Sequence, residues 1–131
     1  MPDFNKDELK KRLTPEQFHV TQEKGTEAPF SGEYDQVFTI GTYNCIVCGH
    51  KLFVSDNKFD AGCGWPAFDQ AAVKSAVTEH ADDTHGMRRT EVTCSNCGAH
   101  LGHVFTDGPK ETTGLRYCIN SASINLQPKT P

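Results

Sequence analysis

The six cysteines are the residues of this sequence best suited to chemistry, and four of them form two closely spaced pairs. One pair lies in NCIVCGH and the other in TCSNCGAH, each with two residues between the cysteines and a glycine directly after the second. The four are Cys45, Cys48, Cys94 and Cys97. Turns of this kind direct two thiolates at one metal ion, and a glycine at their end adopts positive φ without steric strain. The spacing predicts one structural zinc ion held by four thiolates.

The two pairs are far apart in the chain. The 45 residues from 49 to 93 separate them, whereas compact zinc ribbons have about 15 to 20 residues between their pairs. The fold must therefore bring two remote hairpins together. Two separate redox pairs, or four buried thiols, are the alternatives, but strand-like or polar residues follow each pair, where a thioredoxin-like pair would begin a helix. Haem attachment would need a histidine directly after the second cysteine, and Gly49 and Gly98 occupy those positions.

Cys118 lies in the segment GLRYCINSASI, which alternates like a β-strand. At a period of two residues, Arg116 and Asn120 share its face, and Tyr117 and Ile119 face the other way. A lone cysteine can fill the core, bind a metal or act as a nucleophile. A thiol between a guanidinium and an amide is in polar surroundings, and a nearby positive charge favours the reactive thiolate. These neighbours argue against core packing of Cys118 and suit a reactive thiolate.

The sixth cysteine, Cys63, lies in DAGCGWPAF between two glycines, which indicates a mobile or tightly turned loop with an accessible sulfur. Trp65, the only tryptophan, follows in the same loop, and its indole could face a ligand or close the core. Two histidines, His100 and His103, lie in GAHLGHVF. Each could be structural or could supply a proton.

Short strands and turns are expected to position these side chains. The segments that predict strands are VFTI, KLFV, RTEVTC, GHVF, LRYCIN and ASINL, which are rich in Val, Ile, Phe and Thr and are bounded by turn residues. This pattern favours antiparallel sheets and a mainly β fold. PAFDQAAVKSAV could hold a brief helix, and TEHADDTHGM has the composition of a polar loop.

The N-terminal part predicts helices. KDELKKRL carries Leu9 and Leu13 four residues apart, and TPEQF begins a second short helix. Thr14 suits the N-cap of that helix, because its hydroxyl can accept from the N–H of Gln17 while the Gln17 side chain reaches back. Pro15 suits the first helical position.

The whole chain has the length of one ordinary domain. We expect a single domain over residues 1–131, with a helical N-terminal arm at about 5–22 and a β core at about 34–127. The formal net charge of -4 argues against a general affinity for nucleic acid. No apolar run reaches the length of a membrane span, and the N-terminus lacks the apolar stretch of a signal peptide. The expected location is the cytoplasm, with no nucleic-acid or membrane partner.

Three motifs taken together resemble a known family. GCGWPAF, GAHLGHVF and RYCINSASI, combined with the two cysteine pairs, are similar to the B class of methionine sulfoxide reductases, which act on methionine-R-sulfoxide. The resemblance covers essentially the whole chain, from QFHVTQEKGTEAPFSGEY through Leu126, and the motifs occur in the order of the family. Ala67 stands where the family commonly has serine.

The resemblance implies a fold of two antiparallel β-sheets packed together, with short N-terminal helices and one structural zinc ion away from the active site. It implies that Cys118 is the nucleophile and that Cys63 is the resolving cysteine that forms a disulfide with it. Thioredoxin would then reduce this disulfide. The implied substrates are oxidised proteins or peptides carrying methionine-R-sulfoxide, and the implied state is a monomer.

The same resemblance implies the other site residues. The two histidines and the asparagine of the family's catalytic site fall on His100, His103 and Asn120. Its active-site tryptophan falls on Trp65, and its arginine two residues before the nucleophile falls on Arg116. The implied substrate-binding residues are Trp65, Phe105, Arg116 and Asp107.

Two other functions are open to this sequence. A zinc-knuckle module that binds protein or nucleic acid would account for four cysteines, but it leaves Cys63 and Cys118 without a role and fits poorly with the negative charge. A thiol peroxidase could use the same two cysteines. Peroxide turnover without sulfoxide turnover would favour that enzyme.

Overall fold

The computed structural model describes residues 6–28, 32, 34, 39–59, 64–82 and 89–128. Two short helices, α1 (Lys6–Arg12) and α2 (Pro15–Gln22), precede the strands. The strands are β1 (Gly41–Cys45), β2 (Lys51–Val54), β3 (Lys58–Phe59), β4 (Ala67–Phe68), β5 (Val77–Asp82), β6 (Arg89–Cys94), β7 (His100–Phe105), β8 (Arg116–Ile119) and β9 (Ile124–Pro128). Short 3-10 helices lie at Ser55–Asn57, Lys74–Ala76 and Ser121–Ser123. In this described part of the chain, no helix is long and apolar enough to cross a membrane.

The strands pair into two antiparallel sheets. The smaller sheet has the order β2-β1-β9, and the larger has the order β3-β4-β8-β7-β6-β5. Each pairing between neighbouring strands is antiparallel. The predicted fold class, mainly β with two antiparallel sheets and short N-terminal helices, is confirmed.

Aromatic side chains from the two sheets meet between them. Phe53 of β2 stacks on Phe68 of β4 with ring centroids 4.4 Å apart, and Tyr43 of β1 meets Phe68 edge-on at 5.2 Å. All three side chains are fully buried. Because aromatic rings bury a large apolar area, this cluster contributes to the packing of the two sheets against each other.

The N-terminal helices follow the sequence prediction. Leu9 and Leu13 are buried in the core cluster. At the start of α2, the N–H of Gln17 donates to Oγ1 of Thr14 at 3.1 Å, and the N–H of Thr14 donates to Oε1 of Gln17 at 2.9 Å. Pro15 occupies the first turn. The predicted capping box is therefore confirmed.

Arg12 connects α1 to the turn that holds the first cysteine pair. Its guanidinium donates to the carbonyl of Ile46 at 3.1 Å and to the carbonyl of Val47 at 2.8 Å. Both carbonyls lie between Cys45 and Cys48. The helical arm is thus attached to the hairpin of β1 and β2.

One segment predicted as a polar loop is a strand. Residues 78–82 of TEHADDTHGM belong to β5, which pairs with β6 along its whole length, and residues 83–87 lie outside the described residues. β5 is the last strand in the order of the larger sheet, and the side chains of residues 78–81 are exposed. The polar composition therefore reflects an edge strand that faces solvent, with its backbone paired on one side.

Two further boundaries differ from the prediction. The strand expected in VFTI begins only at Gly41, after Thr39 and Ile40, while Val37 and Phe38 lie outside the described residues. The brief helix expected in PAFDQAAVKSAV is a 3-10 helix of three residues, Lys74–Ala76, preceded by β4. Short segments of this kind carry too few residues for a clear period.

Candidate active site

Strand β8 carries Cys118 at the centre of the candidate site. Tyr117 and Ile119 are buried, whereas Arg116 and Cys118 are half-buried. Asn120 follows the strand and is 3% exposed. Arg116, Cys118 and Asn120 line one cavity of about 260 Å³. The three side chains therefore share one face, as the alternation predicts.

Strand β7 places His103 beside Cys118. The two residues are partners in the pairing of β7 with β8. Directly opposed residues of an antiparallel pair have Cβ atoms about 5 Å apart on the same face, and His103 lines the same cavity. An imidazole next to a thiol can exchange a proton with the thiol or with a bound substrate.

Gly102 allows β7 to approach Cys118 closely. A Cβ at this position would lie 2.1 Å from the carbonyl oxygen of Cys118 and 3.1 Å from Cα of Ile119. Both contacts are with the main chain, so no change of rotamer could relieve them. The pairing of β7 with β8 at the cavity therefore requires glycine here.

His100 lies behind His103, and its ring centroid is 5.6 Å from that of His103. It is 3% exposed, and its Nδ1 is 2.8 Å from Oε2 of Glu91. Oε1 of Glu91 is 3.6 Å from Nζ of Lys24. Burial lowers the pKa of His100, although the Glu91 carboxylate opposes this shift. Because a carboxylate can only accept, Nδ1–H of His100 donates to Glu91, and Nε2 of His100 has no hydrogen-bond partner in the described structure.

Trp65 forms another wall of the cavity. Its indole is half-buried, and Nε1–H donates to the carbonyl of Glu27 at 3.0 Å. The carbonyl of Pro66 accepts from the N–H of Ile119 at 2.9 Å, which holds the end of this loop along β8. Of the two interpretations of Trp65, this position agrees with a ligand-facing side chain. Cys63, two residues earlier, lies outside the described residues.

Arg116 lies at the rim of the cavity between Asp107 and Phe105. Its Nε donates to Oδ1 of Asp107 at 2.8 Å and its Nη2 to Oδ2 at 3.1 Å. The guanidinium carbon is 4.6 Å from the centroid of the Phe105 ring. Hydrogen bonds from Arg116 hold the pKa of Asp107 below its usual range. The carboxylate and the ring thus fix the orientation of the guanidinium.

The four paired cysteines come together away from this cavity lining. Their sulfur atoms all lie within 4.8 Å of one another. Sγ of Cys45 is 3.7 Å from Sγ of Cys97, and Sγ of Cys48 is 3.6 Å from Sγ of Cys94. Tetrahedral zinc with Zn–S bonds of about 2.3 Å requires sulfur atoms about 3.8 Å apart. The donor set and its spacing therefore fit one metal ion.

The two cysteine turns have the same backbone geometry. Gly49 has φ of +78° and Gly98 has φ of +80°, as their place in the sequence predicts. The N–H of Gly49 donates to the carbonyl of Cys45, and the N–H of Gly98 donates to the carbonyl of Cys94, each at 2.8 Å. One turn joins β1 to β2 and the other joins β6 to β7, so each sheet supplies one pair. A bound metal ion would link the two sheets.

Comparison with known proteins places the chain in a family. A family model described as the SelR domain matches residues 13–128. The chain is 62% identical over 123 residues to the peptide methionine sulfoxide reductase MsrB of Cellvibrio japonicus, covering 94% of this chain and 87% of that protein. It is 57% identical over 121 residues to the protein of the same name from Chromohalobacter salexigens, covering 92% and 91%. This chain belongs to the SelR-domain family of MsrB reductases.

Membership of the MsrB family confirms the resemblance seen in the sequence and the predicted enzyme class, an oxidoreductase that reduces methionine sulfoxide. A third relative, the MsrB of Agrobacterium fabrum, is 54% identical over 129 residues that cover 97% of this chain and 95% of that protein. The similarity therefore extends across both the cysteine turns and the cavity. The predicted site residues that line the cavity of this MsrB-family chain are Trp65, His103, Phe105, Arg116, Cys118 and Asn120.

Sequence reasoning missed several residues of the site. Thr26 and Arg89 line the cavity, and Glu91 holds His100 behind it. Glu91 carried one signal that could have been used, because it is a charged residue in the middle of RTEVTC, a segment predicted as a strand, and it is 6% exposed. No local pattern marked Thr26 or half-buried Arg89 as part of the cavity, since each lies beside it only through contacts between distant segments.

Proposed function

We propose that this chain reduces the R epimer of methionine sulfoxide, mainly in oxidised proteins, back to methionine. The observation that carries the proposal is the cavity in an MsrB-family chain where Cys118, His103, Asn120 and Trp65 meet. Its volume of about 260 Å³ is small; pockets for whole small molecules measure roughly 300 to 1,000 Å³. A single side chain suits this space better than a large cofactor.

Cys118 is the proposed nucleophile. Its thiolate attacks the sulfoxide sulfur, the S–O bond breaks, and the oxygen is transferred to Cys118 while methionine is released. Cys118 is then a sulfenic acid, so the cysteine sulfur has given up the two electrons that reduce the substrate. The half-buried position of Cys118 on the cavity wall supports this assignment, because the sulfur can meet a side chain that enters from solvent.

His103 is the proposed proton donor to the sulfoxide oxygen. Protonation is needed because an oxide ion is a poor leaving group. The pairing of His103 with Cys118 across β7 and β8 supports this role. His100 assists by fixing the environment of His103 from behind, and Asn120 lines the same cavity as His103.

The remaining cavity residues are proposed to recognise the substrate. The sulfoxide sulfur carries an oxygen, a methyl group and the methionine stem, so its two epimers place the methyl on different sides. The flat faces of Trp65 and Phe105 can accept the methyl while polar groups fix the oxygen, which selects one epimer. Arg116, oriented by Asp107, offers donors at the rim to the main chain of a bound peptide.

Cys63 is the proposed resolving cysteine. Its thiol condenses with the sulfenic acid of Cys118, which releases water and forms a disulfide. Two residues separate Cys63 from Pro66 in the sequence. The carbonyl of Pro66 accepts from the N–H of Ile119, the residue after Cys118. This short separation in sequence supports the pairing of the two cysteines. Thioredoxin is the proposed reductant, since an accessible disulfide is opened by exchange with its thiolate.

The metal is proposed to be one zinc ion with a structural role. Cys45, Cys48, Cys94 and Cys97 would hold it and leave no open position for a substrate, as in closed four-thiolate sites. We further propose that residues 1–131 form a single cytoplasmic domain that acts as a monomer. The length of the chain, which is that of one ordinary domain, supports the single domain.

Turnover with separated epimers tests the function. NADPH consumption is followed with thioredoxin, its reductase and either the R or the S epimer of a blocked methionine sulfoxide. We expect turnover of the R epimer alone. No turnover of either epimer by folded, zinc-loaded protein would overturn the proposal and favour a zinc-knuckle binding module.

A second assay tests the resolving cysteine. The Cys63→Ser variant should still form about one equivalent of methionine per chain without thioredoxin, because the nucleophile remains, but it should fail in thioredoxin-driven cycles. Undiminished cycling by Cys63→Ser would refute the role of Cys63.

A further inference from the structure

A segment without regular secondary structure, residues 24–28, lies beside the cavity that contains Cys118. We refer to it as the strap. Its Thr26 lines the cavity, while Glu27 is 3% exposed. A glutamate is almost never so fully buried unless its carboxyl group has partners. The burial of Glu27 therefore requires an explanation that the proposed reaction steps do not supply.

The main chain of Glu27 binds two side chains of the cavity wall. Its N–H donates to Oδ1 of Asn120 at 3.0 Å. Its carbonyl accepts from Nε1–H of Trp65 at 3.0 Å. One residue of the strap thus contacts both Asn120 and Trp65, which line the cavity together with Cys118.

The other end of the Asn120 side chain is also held. Nδ2 of Asn120 donates to the carbonyl of Leu101 at 2.9 Å. Leu101 belongs to β7, two residues before His103. Because a main-chain N–H can only donate and a carbonyl can only accept, these two contacts define the orientation of the amide. Asn120 is therefore fixed between the strap and the strand that carries His103.

The carboxylate of Glu27 attaches the strap to the turn after Asn120. Oε1 accepts from the N–H of Ala122 at 2.9 Å. A Cβ built on Gly32 would lie 2.2 Å from Oε2 of Glu27 and 2.3 Å from Oγ of Ser121, so glycine leaves room for both groups. Ser121 and Ala122 belong to the 3-10 helix that directly follows Asn120.

We propose that Glu27 is a positioning residue of the reductase site, whose carboxylate anchors the strap and whose main chain holds Asn120 and Trp65 in place beside Cys118. The inference rests on the proposed function, because it assigns those two side chains to the substrate cavity. An apolar residue at this position could fill the volume, but it would leave the N–H of Ala122 without an acceptor. Burial also raises the pKa of Glu27, because it disfavours the charged carboxylate. The N–H groups of Ala122 and Ser121 stabilise that carboxylate and oppose the shift.

The single tryptophan allows the proposal to be tested without an activity assay. In Glu27→Ala the strap loses its anchor, so the Trp65 indole should become more exposed, with emission at longer wavelength and stronger quenching by acrylamide. Glu27→Gln should emit like the unchanged protein, because its amide oxygen can still accept from the N–H of Ala122. Glu23→Ala is the matched control, since Glu23 is a nearby carboxylate that is 58% exposed and bonded to exposed His19.

Kinetics with the R epimer provide a second readout. Glu27→Ala should lower kcat/KM by about 10- to 100-fold, the usual cost of removing a group that orients a site residue. The loss should lie mainly in KM, because Trp65 and Asn120 line the proposed substrate cavity. The position of Cys118 is set by the pairing of β8 with β7. The kcat/KM and KM values of Glu27→Gln and Glu23→Ala should stay close to those of the unchanged protein.

Folded Glu27→Ala with unchanged emission, quenching and KM would overturn the proposal, even if its melting temperature fell, because Glu27 would then be only structural. If Glu27→Ala does not fold, the Glu27→Asp variant tests the positioning role of Glu27 in its place. This side chain is one methylene shorter and reaches Ala122 only by moving the strap, so unchanged emission and KM in Glu27→Asp would also overturn the proposal. If the unchanged protein reduces neither epimer, the proposed function fails, and the emission and quenching of Trp65 still decide whether Glu27 positions it.

Discussion

The cysteine turns and the cavity at Cys118 place the same side chain in opposite surroundings. In the turns, four sulfur atoms lie within 4.8 Å of one another, and each pair is held by a turn that ends in a glycine of positive φ. In the cavity, Cys118 lies on a strand opposite His103 and beside Arg116. The first region suits a metal ion and the second suits nucleophilic chemistry. The difference shows that the neighbours of a cysteine, more than the thiol itself, decide its chemistry.

Replacing the cavity cysteine should have the largest effect on activity. Cys118→Ser should lower turnover of the R epimer by about 10³-fold or more, because it removes the thiol of the proposed nucleophile. The free energy of unfolding should change by less than about 1 kcal/mol, since Cys118 is half-buried and the replacement is close in size. The epimer assay and urea unfolding measure the two quantities. Full turnover by Cys118→Ser would show that the comparison assigns the nucleophile to the wrong region.

Replacing a cysteine of the turns should reverse this pattern. Cys94→Ser removes one of the four proposed metal ligands, and Cys94 is buried at 1% exposure. We expect loss of bound metal and a fall of roughly 3 kcal/mol or more in the free energy of unfolding, because metal binding contributes directly to folding. The fraction that remains folded should keep its kcat. Elemental analysis and urea unfolding provide the measurements, and a fully stable, metal-free Cys94→Ser variant would contradict the structural role.

Glu91 tests whether the cavity depends on groups behind it. Glu91→Gln keeps the size of the side chain but removes the charge that faces Nδ1 of His100 at 2.8 Å. We expect kcat to fall by about 10- to 100-fold with little change in KM. Lys24→Ala is the control, because Lys24 contacts the same carboxylate from an exposed position at 3.6 Å and exposed ion pairs contribute little. Equal kcat values for Glu91→Gln and the unchanged protein would show that His100 needs no charged partner.

Arg12 tests how far the stability of the cysteine turns depends on the helical arm. Arg12→Ala removes two hydrogen bonds to the carbonyls of Ile46 and Val47. We expect a loss of about 1 to 2 kcal/mol in the free energy of unfolding and no change in kcat. Lys11 is an exposed neighbour on the same helix, so Lys11→Ala should leave the free energy of unfolding nearly unchanged. Equal losses for the two variants would mean that the arm contributes through helix formation alone.

The smallest expected effect concerns pH. Burial lowers the pKa of His100 below its ordinary value of 6.5 in the folded protein, so protonation favours the unfolded chain. The stability that comes from keeping His100 neutral is fully present above pH 6.5, the pKa in the unfolded chain. It is lost as the pH falls from 6.5 through the lower pKa of the folded protein. Urea unfolding at several pH values should therefore show a steeper loss for the unchanged protein than for His100→Asn. Parallel curves would show that His100 does not contribute to the pH dependence of stability.

Local patterns predicted much of this molecule. The capping box at Thr14 and Gln17, the positive φ of Gly49 and Gly98, and the alternation around Cys118 each depend on residues a few positions apart. The steric and hydrogen-bonding rules that govern such features act within one turn or strand. The edge strand β5 escaped prediction because its exposed face requires no apolar residues.

The sequence alone determined which side chains could carry chemistry. These are two cysteine pairs of metal-binding spacing, one cysteine with polar neighbours on its face of a strand, and the residues of the motifs that identify the family. Only the tertiary structure decided which of them meet. The pairing of β7 with β8 brings His103 to Cys118, and the contact between β6 and β7 places Glu91 behind His100. The strap reaches Asn120 across 93 residues of sequence. Such contacts depend on how remote segments pack, because one burial pattern is compatible with many pairings of strands until the whole core forms.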